Sequence, residues 1–238
     1  IEGEQETLLD QYCDFLCLGT VADVMPLTGE NRTMVARGLK TLENPRRVGI
    51  AALMAECSVQ KGPVTAGTIG YTLAPRINAA GRMGQVNVAT ELFLTHDAMR
   101  AAELAQQLCR LNRRRQEVES EIYQDAVAML SRGKAPSAIV LSDEKWHQGV
   151  VGIVASRLSE EFCRPTFLIC LDGDRGKASS RSYGGFNLFA SLTELSGLLE
   201  GYGGHELAAG FTIARKNIDA FRAAMCRCAA AYAAFAPV

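Results

Sequence analysis

The chain has no apolar run long enough to cross a membrane, no Cys-x-x-Cys pair, no Cys/His spacing of the zinc-binding kind and no His-His pair. A spanning helix needs about 20 predominantly apolar residues, and a structural zinc site needs convergent thiol or imidazole ligands, so both classes are set aside. Charge of one sign is lacking too. The net charge is -1 at pH 7, which leaves no global positive field to draw in nucleic acid, so any such contact must come from a local patch. A signal-peptide pattern and an initiating Met are missing from Ile1-Glu2-Gly3-Glu4, which reads as the interior of a longer protein. The eight cysteines (13, 17, 57, 109, 163, 170, 226 and 228) sit in a chain of 238 residues that is 48% hydrophobic. A chain of that size builds its own core, so they read as reduced, mostly buried thiols of a cytoplasmic protein rather than a disulfide framework.

What the chain has instead is glycine set among hydrogen-bond donors. Residues 174–212 contain Asp174-Arg175-Gly176-Lys177-Ala178-Ser179-Ser180-Arg181-Ser182, then Gly184-Gly185-Phe186-Asn187, Gly203-Gly204-His205 and Ala208-Ala209-Gly210-Phe211. Glycine lets a backbone approach a ligand closely, and Arg, Ser and His are donors that a phosphate accepts from. Ser179, Arg181 and His205 form the sharpest set, suited to a terminal phosphate. A bend at a strand end with a solvated Arg is the plainer reading, and three such motifs close together argue against it. A second basic region runs from Arg76 to Arg115, with seven Arg against Glu91, Asp97 and Glu103. Within it Arg113-Arg114-Arg115 reads most simply as a solvated helix face.

The apolar pattern predicts a buried strand at 15–21 with Asp23 beyond its end, helices at 31–42 and 47–57, an irregular Gly- and Pro-containing loop at 71–84, and a short helix at 86–94. Asp97 caps a long helix to about Arg132, ended by Gly133-Lys134-Ala135-Pro136. Strands at 138–141, 166–171, 175–181 and 211–214 then alternate with helices at 150–162, 187–199 (in part) and 217–234, a mixed α/β pattern. A carboxylate at a strand end suits Mg²⁺ or Mn²⁺, although a lone Asp more often serves a helix N-cap or a turn and cannot build a two-metal site. Arg76 and Arg82, with Asn78 between them, suit a nucleic-acid backbone or a solvated turn equally. His147, in Trp146-His147-Gln148-Gly149 ahead of a helix, reads as a donor or acid at an anion site, and taken alone more simply as a helix cap or a ring packed on Trp146.

Taken in order, these residues resemble the RecJ family of Asp-His-His phosphoesterases. The segments are Leu18 to Leu27, Arg76-Ile77-Asn78-Ala79-Ala80-Gly81-Arg82, Trp146 to Arg157, Ser179-Ser180-Arg181-Ser182, Gly184 to Leu188 and Gly203-Gly204-His205. The resemblance implies an α/β architecture in three parts: the tail of a parallel-sheet phosphoesterase domain (1–96), a connector helix (97–133) and an associated substrate-binding domain (134–238). It implies 5′-to-3′ hydrolysis of single-stranded DNA with two Mn²⁺ or Mg²⁺ ions, in DNA repair and recombination. Asp23 would be a metal ligand and, with His147, a catalytic residue. Arg76, Asn78, Arg82, Ser179, Arg181, Gly204 and His205 would bind the strand and its 5′-phosphorylated end. A single-strand-binding protein and a helicase are the partners implied. Ala178 and Ser180 stand where the family more usually has Gly. The Asp-x-Asp and Asp-His-His signatures that precede the Asp23 motif in the family are absent ahead of Asp23 here, so this piece alone is expected to lack nuclease activity. Two other readings remain: a module that binds nucleic-acid ends without cutting, and a phosphoesterase of short oligonucleotides or nucleotides.

Overall fold

The computed structural model describes residues 2–60, 62–131 and 136–232. The chain divides into two compact units, Ile1–Arg115 and Gln116–Val238.

The described part of the first unit is helical. Helix α1 (Glu2–Ala22) packs on α2 (Gly29–Leu42), followed by α3 (Val48–Glu56). A short turn of helix, α4 (Ala66–Thr68), runs through a π-helical turn (Ile69–Leu73) into α5 (Ala74–Arg82), and α6 (Val86–Leu94) precedes the long α7 (Ala98–Leu130). The strand expected at 15–21 is therefore the last part of α1, and the described residues of this unit contain no strand. Burial explains the difference. Cys13, Asp14, Cys17 and Leu18 are buried while Leu16 is exposed, which is the three-and-four spacing of a helix and not the alternation of a strand. The loop expected at 71–84 is likewise helical up to Arg82. Pro75 lies in the first turn of α5, directly after the π-helical turn Ile69–Leu73, and π-turns of this kind accommodate local departures from the α-helical hydrogen-bond pattern.

Asp97 caps α7 as the sequence suggests, its Oδ1 accepting from the N–H groups of Met99 (2.8 Å) and Arg100 (3.2 Å). Ala101, Leu104, Ala105, Leu108 and Leu111 from the first half of α7 join the core of the first unit. The end of the helix is described to Ser131, and the expected stop at 133–135 lies outside the described residues.

The second unit is a five-stranded mixed sheet with strand order β1-β2-β3-β5-β4. Strands β1 (Ile139–Asp143) and β2 (Thr166–Asp172) are parallel and joined by α8 (Val151–Glu161). Strand β3 (Arg175–Arg181) returns antiparallel through a tight turn at Gly173-Asp174, and α9 (Leu188–Glu194) leads to β4 (Leu199–Gly204), β5 (Ala208–Ala214) and α10 (Ile218–Ala231). The residues at 233–234 expected in the closing helix lie outside the described residues. Phe167, Phe211 and Phe221 meet in the core, with centroids 4.7 Å apart for the Phe211–Phe221 pair. Leu188, Leu192 and Met225 complete that face, and α8 packs on β2 and β3. The guanidinium of Arg157 on α8 stacks 3.6 Å over Tyr123 of α7, whose hydroxyl donates to Glu161 at 2.6–2.7 Å.

All eight cysteines are free. Burial pushes the thiols of Cys17, Cys57 and Cys170 up to about 12. A thiol so hard to ionise is a poor nucleophile at neutral pH, so these three side chains fill space rather than carry chemistry.

Candidate phosphate-binding site

Strand β3 alternates its side chains. Gly176, Ala178 and Ser180 are buried, and Ser179 and Arg181 stand on the opposite side of the strand, half-buried. Arg181 Nη1 donates to Ser179 Oγ (3.2 Å) and to the Ser180 carbonyl (2.8 Å). The pair lies against the first turn of α8. A Cβ placed on Gly152 would be 2.9 Å from Ser179 Oγ and 3.2 Å from Arg181 Nη2. A guanidinium, a hydroxyl and a helix N-terminus are thus packed together in one unit, and each favours an anion.

His147 sits just ahead of that helix. Its Nδ1 accepts the Gly149 N–H at 3.1 Å, and its carbonyl accepts from Val150 and Val151 at 2.9 and 3.1 Å. The ring thus bonds within the turn ahead of α8, whose N-cap is Val150 with no side-chain cap, and Nε2 is the remaining nitrogen of the ring. His205 is exposed in the turn between β4 and β5, at the sheet end where Arg181 pairs with Ala208. Its N–H donates to the Ala208 carbonyl (2.9 Å) and its Nδ1 accepts from Leu207 (3.3 Å). Gly204 takes φ +137°, and a Cβ there would come within 2.5 Å of the Ala208 oxygen, so backbone geometry alone demands glycine.

In the first unit, Asp23, Asn78 and Arg82 line one cleft of about 650 Å³ whose apolar wall is Phe15, Leu18, Ile77 and Phe93. Asn78 and Arg82, four residues apart on α5, share a helix face. Asp23 is exposed just beyond the C-terminus of α1, its N–H bonded to the Gly19 carbonyl at 3.0 Å. A carboxylate there meets the negative end of the helix dipole, and the next residue, Val24, is held at φ +55°, a rare backbone for a β-branched residue. An adjacent cation would offset the first of these costs.

Arg76 is not in that cleft. Its Nη1 donates to the Thr72 carbonyl at 2.6 Å, and its charge acts on Cys57. On a helix, two residues from Asn78 means nearly the opposite side, whereas a loop would have left both free to converge. The basic centre of α7 is partly internal to the helix, with Arg115 Nη2 donating to Asn112 at 2.9 Å. Among the described residues no group of three or more His, Cys, Asp or Glu could hold a metal ion. The Asp172-Gly173-Asp174 spacing belongs to the β2–β3 hairpin. No described helix is long and apolar enough to cross a membrane.

Gly152 is the residue of this cluster that the sequence does not single out, although it lies within the Trp146 to Arg157 segment. Its only trace there is a glycine in the first turn of a helix, where Ala would be favoured by about 1 kcal/mol.

Residues 135–231 match the DHHA1 domain model. The single-stranded-DNA-specific exonuclease RecJ of Bacillus subtilis is 38% identical over 218 residues, covering 90% of this chain and 28% of the relative. That of Escherichia coli is 35% identical over 225 residues, covering 90% and 39%. Among solved structures, RecJ from Thermus thermophilus in complex with Mg²⁺ aligns at TM-score 0.87 and 37% identity, over 95% of this chain and 35% of that one. An exonuclease RecJ bound to manganese aligns at 0.82 and 37% identity, over 95% and 56%. The chain thus spans 28% to 39% of the length of the two curated relatives. Over nearly its whole length it is homologous to a part of RecJ, with the mixed α/β DHHA1 region and the long connecting helix of that architecture.

Proposed function

We propose that this chain is part of a RecJ-like exonuclease of single-stranded DNA, and that its second unit grips the 5′-terminal phosphate. The observation that carries the reading is the Arg181–Ser179 contact packed against the first turn of α8. A terminal phosphate monoester carries about 1.5 to 2 negative charges at neutral pH, more than a bridging diester. A guanidinium beside a helix N-terminus favours that extra charge. Holding the leading phosphate fixes which end of the strand enters, and hence the polarity of digestion. His147 and His205 add imidazole donors at the N-terminus of α8 and at the sheet end.

In the first unit, Asn78 and Arg82 supply donors for the strand backbone, and Asp23 supplies one oxygen ligand to Mn²⁺ or Mg²⁺. Those ions, when bound, would activate water for phosphodiester hydrolysis. The described residues do not by themselves fit a two-ion centre, because Asp23 brings one carboxylate and no further ligands cluster with it. A single-strand-binding protein or helicase would present the strand. The same scarcity of ligands favours a second reading, that this chain binds ends without cutting them.

Binding of a 5′-phosphorylated oligonucleotide and of its 5′-hydroxyl twin tests the proposal. The phosphorylated strand is expected to bind about tenfold tighter or more, and Arg181→Ala to erase the difference, since a hydrogen bond to a charged group contributes about 1.5 to 3 kcal/mol. Equal binding of the two strands would overturn it. With Mn²⁺ added, this chain alone is expected to release no mononucleotides.

A further inference from the structure

We infer that Gly152 is a positioning residue for the phosphate site: it is glycine so that Ser179 and Arg181 can lie flat against α8 in contact with each other. The inference rests on the reading that Ser179 and Arg181 hold a phosphate. Gly152 is buried in the first turn of α8. A Cβ there would approach Ser179 Oγ to 2.9 Å, Arg181 Nη2 to 3.2 Å and Ser179 Cβ to 3.7 Å. The three nearest atoms thus all belong to the two residues proposed to hold the anion, and none is backbone.

That distribution separates fold from site. The first contact is closer than real side chains tolerate, so something must move. Ser179 can turn its hydroxyl to another staggered rotamer without disturbing the strand. Turning it breaks the 3.2 Å bond from Arg181 Nη1 to Ser179 Oγ and carries the hydroxyl away from the guanidinium. The 3.2 Å contact with Nη2 pushes the guanidinium itself off the helix. Alanine is otherwise the better helix former, so the helix gains while the cradle loses. A glycine kept where the helix would prefer Ala is explained by the site and not by the fold.

The test is Gly152→Ala in the full chain, read by thermal melting and by the ratio of affinities for 5′-phosphorylated and 5′-hydroxyl oligonucleotides. The ratio is expected to fall about tenfold with little change in melting temperature. A purely structural glycine would move the melting temperature and spare the ratio. In a Ser179→Ala background, which removes the closest clashing atom, the added effect of Gly152→Ala is expected to shrink to about threefold or less, because directly contacting residues are not additive. A sharp fall in melting temperature that Ser179→Ala does not restore overturns the inference and makes Gly152 a structural glycine. An unchanged ratio in Gly152→Ala, with Arg181→Ala still abolishing phosphate preference, overturns the role of Gly152 alone. A parent chain with no phosphate preference overturns the phosphate reading and this inference together.

Discussion

Gly49→Ala is expected to destabilise the first unit by about 3 kcal/mol, enough to lower its melting temperature by roughly 10 °C or more. Gly49 lies in the first turn of α3, where a Cβ would fall 1.7 Å from the Leu92 carbonyl oxygen and 2.7 Å from its carbon. Both atoms are main chain of α6, so no rotamer change relieves the overlap, and the two helices must part. Ala gains about 1 kcal/mol in helix propensity, far less than the separation costs in a core that includes Ile50, Leu53 and Leu92. The measurement is far-UV ellipticity against temperature beside the emission of Trp146, the one tryptophan of the chain. Trp146 is buried in the second unit, whose core of Phe167, Phe211 and Phe221 is a separate cluster. Helical signal is expected to fall early while Trp146 keeps its own transition. An unchanged melting curve would mean that α3 and α6 do not cross at Gly49.

The contrast between Gly49 and Gly152 shows what a sequence of this kind makes legible. Helix α7 is readable because its capping Asp97 and its apolar spacing are local properties, and β2 because Thr166 to Leu171 is a short apolar run bounded by Pro165 and Gly173. The segment 15–21 misleads because a short apolar run suits a strand and a buried helix alike. Tertiary burial of Cys13, Asp14, Cys17 and Leu18 decides the matter. Buried Asp14 takes the Nε of Arg47 at 3.0 Å, and Arg47 also stacks 4.0 Å over Phe15, pairings across more than thirty residues that no local pattern encodes.

Strand β4 is hidden in the sequence for the opposite reason. Gly201, Gly203 and Gly204 carry no side chains to alternate, and glycine normally weakens a strand. At the candidate site the donors are legible as residue types, and their grouping is legible in part. Ser179 and Arg181 meet because residues two apart on a strand share a face. Asn78 and Arg82 share a cleft because residues four apart on a helix do, and Arg76 leaves it once the loop becomes a helix. Ser180 is fully buried with its hydroxyl unpartnered among the described residues, a cost that composition does not disclose.

Gly204→Ala is expected to cost the second unit on the order of 4 kcal/mol, combining backbone strain with overpacking. Gly204 pairs with Ala209 at the end of β4 and holds φ +137°, and its Cβ would sit 2.5 Å from both the Ala208 oxygen and the Ala209 Cα, and 2.8 Å from the Ala209 Cβ. The colliding atoms belong to β5, which lies between β3 and β4 in the sheet, so the strain reaches the strand that Arg181 pairs with through Ala208. It also reaches His205, whose N–H is held by the Ala208 carbonyl at 2.9 Å. The neighbouring Gly203 supplies the control. Nothing lies within 4 Å of a Cβ built on it, so Gly203→Ala is expected to change stability by less than about 1 kcal/mol. Urea titration followed by Trp146 emission separates the two variants. If Gly204 served only to let a ligand approach, Gly204→Ala would unfold at the parental midpoint and lose binding alone. A lowered midpoint with Gly203→Ala unmoved would instead make Gly204 a structural requirement of the β4–β5 pairing, acting on the proposed phosphate site through the sheet end that carries Arg181 and His205.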